Sequence, residues 1–115
     1  MKITEKSNEF TKDELYRMTK SPSVTSVKAL EDGAIITPRG WLAFDDENAK
    51  GETSYMLSII GEDAFGQETV WTCQSQTFKN NFMDLWILFD GEPFTLKKIS
   101  GVTKAGREYV NCDLA

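Results

Sequence analysis

Between Lys97 and Tyr109 the chain reads KKISGVTKAGREY, so Lys97, Lys98, Lys104 and Arg107 all precede the first acid, Glu108. Cations that can pair with phosphate, next to an aromatic ring that can stack on a base, are the side chains single-stranded nucleic acid requires. The cluster is unusual for its setting. The 115 residues carry 13 Lys and Arg against 18 Asp and Glu, a net charge of −5. Residues 1–39 hold seven basic and six acidic groups, residues 40–76 one and seven, and residues 77–115 five and five. Local charge, rather than the net value, is therefore informative about partners.

Strand alternation sorts these side chains. In Arg107–Leu114, Val110, Cys112 and Leu114 form an apolar face and leave Arg107, Tyr109 and Asn111 pointing outward. Phe94 and Leu96 point inward, so Lys97 faces out, while Lys98 stays open: parity would bury it unless the strand twists or bulges there. The plainer reading of this hairpin is a solvated edge whose lysines discourage strand addition. A second candidate set lies upstream. If Ile36, Leu42 and Phe44 are core, Arg39 and Trp41 share the opposite face, although Pro38 and Gly40 interrupt the alternation. Tyr55 and Trp71 could face the core or the binding surface. The candidate nucleic-acid contacts are therefore Arg39, Trp41, Tyr55, Trp71, Lys97, Lys98, Lys104, Arg107 and Tyr109.

Other chemistry finds no support. Histidine is absent, which removes the commonest general base and the commonest zinc ligand. Cys73 and Cys112 lie in β-like apolar runs and read as buried reduced thiols. DENAKGETSYML starts like a calcium loop but puts Lys50 and Leu57 at ligand positions, and GEDAFG lacks the lysine of a phosphate-binding loop. Asp45 and Asp46 are consecutive and have no positioned partner for acid–base work. The sequence thus predicts no enzyme, no metal and no cofactor. No run is long and apolar enough to span a membrane, and MKITEKSNEF lacks the apolar core of a signal peptide, so a cytoplasmic location is expected.

The elements that must position these residues follow from local pattern. TKDELYRMTK opens with Thr11-x-x-Glu14, a capping box, and reads as a short helix stopped by Ser21-Pro22. SVTSVKALEDG is ambiguous and ends in a turn at Asp32-Gly33. Strands are predicted over Ala34–Phe44, Thr53–Ile60 and Glu68–Ser75. A helix follows over Thr77–Phe89, with Thr77 as N-cap and an apolar stripe at Phe78, Phe82, Leu85 and Phe89. Strands at Pro93–Gly101 and Arg107–Leu114 close the chain, joined by the turn VTKAG. Three strands, a helix and a closing hairpin are the order of elements in the OB-fold, a five-stranded barrel that binds oligonucleotides around strands 2 and 3 and the loop between strands 4 and 5. The predicted fold is therefore mainly β: residues 34–115 form a five-stranded OB-fold barrel with a helix between strands 3 and 4. Residues 1–33 form a helical extension packed on it, within one structural domain.

PRGWLAFDDENAKGE, TCQSQTFKNNFMDL and FTLKKISGVTKAGREYVNCDLA together resemble the small single-stranded-DNA-binding proteins encoded by tailed phages, from about Ala34 to the C-terminus. The resemblance implies a protein that coats displaced strands during phage DNA replication in the host cytoplasm, with little sequence preference. It implies Trp41, Trp71 and Tyr109 as stacking residues and Lys97, Lys98, Lys104 and Arg107 as phosphate contacts. Replication proteins are candidate further partners, but the chain ends in VNCDLA rather than an acidic tail, so recruitment through such a tail is not expected. No membrane partner is expected, and the sequence leaves monomer and dimer open. The rival reading is a protein–protein interaction or inhibitor module on a small β-barrel, and a third is a structural phage component.

Overall fold

Seven strands and two helices make up the computed structural model, which covers Met1–Ala115. In chain order they are β1 (Lys2–Lys6), α1 (Lys12–Thr19), β2 (Thr25–Ser26), a 3-10 turn (Val27–Ala29), β3 (Ile35–Glu47), β4 (Thr53–Glu62), β5 (Glu68–Cys73), α2 (Gln76–Phe89), β6 (Leu96–Val102) and β7 (Glu108–Leu114). The strands form one curled, open sheet in the order β2-β5-β4-β3-β6-β7, and β1 adds to β3. All pairings are antiparallel except β2 with β5.

The long strand β3 organises the sheet. One of its edges pairs with β4 over Thr37–Glu47. The other is shared, since Ile35 and Ile36 pair with β6 while Leu42–Asp45 pair with β1. A bulge between Pro38 and Gly40 lets the strand change direction there. It also shifts the side-chain phase, so Ile36 and Trp41 fall in one core and Leu42 and Phe44 in another. The interruption that Pro38 and Gly40 signal in the sequence is this bulge, and the phase shift it causes carries Trp41 inward rather than onto the face of Arg39.

Both faces of β3–β4–β5 are consequently buried. On the concave side Trp41, Ala43, Leu57, Ile59, Trp71 and Cys73 pack against Phe78 and Phe82 of α2. On the convex side Leu42, Phe44, Ile60 and Val70 pack against Met18, with Phe10 and Leu15 alongside. The amphipathic pattern of α1 thus serves to cover the outer face of the sheet. Its capping box forms as expected: Glu14 N–H donates to Thr11 Oγ1 at 3.1 Å and Thr11 N–H to Glu14 Oε1 at 2.9 Å.

Two strands lie outside the sequence prediction. β1 has one half-buried apolar residue, Ile3, and β2 is two residues long, so both exist through pairing with a neighbour rather than through their own pattern. α2 begins one residue earlier than expected, with Ser75 as its N-cap in place of Thr77. Ser75 Oγ accepts from Phe78 N–H at 3.2 Å and donates to the Val110 carbonyl at 2.9 Å. This residue therefore starts the helix and ties it to β7. No helix is long and apolar enough to cross a membrane.

Candidate nucleic-acid interface

The curled sheet does not close: β5 and β7 share no strand pairing. β2 covers β5 at Trp71 and Thr72, and α2 lies along β7. The exposed side of β7 is satisfied by side chains. Ser75 donates to the Val110 carbonyl and Asn81 to that of Cys112, while Cys112 N–H and Leu114 N–H donate to the side chains of Asn111 and Asp113. These contacts occupy the polar groups through which another strand would add.

A groove of about 620 Å³ remains between the ends of β5 and β7, with Ser26 of β2 and Ser75, the N-cap of α2, at its walls. Met56, Thr72, Gln74, Lys28 and Tyr109 line it, and Glu108 stands on its rim. Met56 and Thr72 belong to the outer face of β4 and β5, the same face that α1 covers further along. Cys73 and Val110, which pack in the concave core, line the groove as well, so it lies at the seam between the two ends of the sheet.

Tyr109 is the one predicted platform left at the surface, 38% exposed. It sits opposite Gly101 in the β6–β7 register, and its ring lies across that glycine. A Cβ added at Gly101 would come within 2.7 Å of Tyr109 Cε1, so the missing side chain is what lets the ring lie flat. The following turn is fixed by Thr103 N–H to the Arg107 carbonyl at 2.8 Å and by Gly106, whose φ of +83° suits glycine. Lys104 and Arg107 project from it, exposed and without an acidic partner. Lys97 shares the outward face with Tyr109 but lies four residues along β6, about 13 Å away.

The remaining candidates have other roles. Trp41 and Trp71 are buried in the concave core, because the bulge and the curl turn both inward, and so they are not surface platforms. Tyr55 packs against the same core, with Lys79 Nζ 4.1 Å from its ring centroid. Arg39 bridges Glu14 of α1 at 3.1 Å and Glu68 of β5 at 2.6 Å, and Arg17 adds a second pair to Glu68 at 3.3 Å. The Thr11 N–H, followed by Arg39, holds the Glu14 carboxyl below its ordinary range, and Arg39, followed by Arg17, does the same for Glu68. These cations secure α1 to the sheet. Lys98 points inward as its parity requires; it is 5% exposed, with Nζ 2.7 Å from the Leu30 carbonyl and 3.1 Å from Asp32 Oδ1.

Tyr109 thus lines the groove, the exposed turn carrying Lys104 and Arg107 leads into it along the chain, and Lys28, which sequence reasoning missed, lines it as well. Lys28 lies in the segment whose conformation the sequence left ambiguous, and only the parallel pairing of β2 with β5 sets it beside the groove. Comparison with protein-family models, curated proteins and solved structures finds no match to this chain.

Proposed function

We propose that the protein binds single-stranded DNA without sequence preference and without catalysis, as a strand-coating protein of phage DNA replication. The binding site in this reading is the groove between β5 and β7, and Ile35–Leu114 is a variant of the OB-type barrel. The order β3-β4-β5-α2-β6-β7 and the antiparallel pairing of β3 with β6 support that assignment. The chief departure is at β5 and β7, which leave the barrel open.

One observation carries the proposal: a solvent-open groove between β5 and β7 is lined by the exposed Tyr109 and by Lys28, and the turn just before Tyr109 carries Lys104 and Arg107 without acidic partners. Tyr109 offers a plane to a base, while Lys28, Lys104 and Arg107 offer charge to the phosphates on either side. Arg17, Arg39 and Lys98 are held in ion pairs elsewhere, whereas Lys28, Lys104 and Arg107 have no acidic partner.

Fluorescence anisotropy of a labelled oligo-dT at two salt concentrations tests the proposal. A labelled strand is a better reporter than intrinsic fluorescence, because Trp41 and Trp71 are buried away from the groove. Tyr109→Ala should weaken binding at every salt concentration by roughly the 1–3 kcal/mol of one stacked base. Lys104→Ala or Arg107→Ala should each lower the salt slope by about 0.7. Absence of binding at low salt, or equal affinity for duplex, refutes the reading.

A further inference from the structure

At the other end of α2, about 20 Å from Ser75 by helix length, the surface has the opposite character. Ile87 and Leu88 are 68% and 77% exposed, while the other side of the helix packs Phe78 and Phe82 into the core. Asp84, Ile87 and Leu88 fall at i, i+3 and i+4 and share one face. Two adjacent large apolar side chains left in water in the last turn of a helix are characteristic of a contact surface.

The charges around this patch indicate what covers it. Asp84, Asp90 and Glu92 are exposed, and none takes part in any of the ion pairs. The last turn of α2 contains no basic residue, so these carboxylates surround the negative end of the helix dipole uncompensated. Asp90 caps the helix in the left-handed region, at φ +44°, and leads into Gly91 at φ +90°. Gly91 lines an adjoining cavity of about 330 Å³ walled by Trp86, Phe94, Glu92, Glu62 and Arg39. Arg39 is already matched by Glu14 and Glu68, so the unmatched charge in this cavity is acidic.

We propose that the C-terminal half of α2 docks a basic protein segment with an apolar anchor, whose large apolar side chain covers Ile87 and Leu88 while flanking Lys or Arg meet Asp84, Asp90 and Glu92. An arginine or lysine reaching past Gly91 would enter the cavity against Trp86, between Glu62 and Glu92. Charge excludes the other occupants. Nucleic acid would be repelled, and a second copy placed symmetrically would set the same carboxylates against each other. The surface is separate from the β5–β7 groove and does not depend on how that groove is read.

The test uses the full chain without DNA and a fluorescent amphipathic lysine–leucine peptide, compared with the same peptide carrying glutamate for lysine. The lysine peptide is expected to bind and the glutamate peptide not to. Ile87→Ser with Leu88→Ser should weaken binding about tenfold or more at both low and high salt. Asp84→Asn with Glu92→Gln should weaken it at low salt only, because exposed charges are screened. All four positions are solvent-exposed, and circular dichroism checks that each variant folds. Equal binding of both peptides, binding unaffected by Ile87→Ser with Leu88→Ser, or amide shifts mapping the peptide elsewhere would overturn the proposal. So would a concentration-dependent dimer abolished by Leu88→Ser, which would make a second copy the occupant.

Discussion

Replacing Lys98 with methionine separates a structural cation from a ligand-binding one. Lys98 ties the segment before β3 to β6: its Nζ holds the Leu30 carbonyl at 2.7 Å, its backbone carbonyl accepts from Gly33 N–H at 2.7 Å, and its N–H donates to Ala34 at 2.9 Å. Methionine preserves most of the buried stem but cannot donate, which leaves the Leu30 carbonyl short of a partner. Loss of one such bond at a buried site costs about 1–3 kcal/mol. The pair with Asp32 adds little, because that carboxylate stands in solvent with Ser100 also donating to it. For a chain of this length the melting temperature should fall by about 4–12 °C. Thermal unfolding by circular dichroism measures the fall, and oligo-dT anisotropy at two salt concentrations measures binding. Lys98→Met should melt early yet bind the oligonucleotide with unchanged affinity and salt slope. An unchanged melting temperature together with a reduced salt slope would show that Lys98 contacts phosphate and would refute the argument from burial.

Three further outcomes follow from particular contacts. Gly61→Ala should destabilise by at least about 2 kcal/mol in denaturant titrations, since the new Cβ would press on the Thr37 carbonyl and lie 2.9 Å from Pro38 Cα, both backbone groups that cannot swing aside. Burial raises the Cys73 thiol and pushes that of Cys112 up to about 12, so a thiol reagent at mildly alkaline pH should react with neither in the folded protein and with both after denaturation. Glu14 and Glu68 have folded pKa values below their unfolded ones, so their contribution is complete above the unfolded value and is lost as pH falls through the folded one. The melting temperature should therefore drop on acidification below 4.5, and Arg39→Gln should flatten that drop.

Local chemistry made part of this molecule legible. The capping box at Thr11, the apolar stripe of α2, the Asp90-Gly91 stop and the β6–β7 hairpin each depend on residues a few positions apart, so spacing alone reveals them. The outward parity of Tyr109 belongs here too, whereas the direction of Lys98 is open in the sequence and is settled by the Leu30 carbonyl that receives its Nζ. What failed depended on distant partners. Pro38 and Gly40 signal an irregularity in β3, but the face on which Trp41 emerges from it depends on the bulge that forms where β3 meets Gly61 of β4.

The sequence by itself determined the helices, the main strands and a basic hairpin ending in tyrosine, because periodicity, capping and turn residues act over a few residues. Only the tertiary structure decided which cations remain free. Arg39 has Glu68 beside it only because the sheet sets β5 within reach of β3 across β4, and Lys98 meets Leu30 only because the segment before β3 folds onto β6. Charge is written in the sequence, but its pairing is set by which distant acids and carbonyls the sheet brings within about 3 Å of each cation.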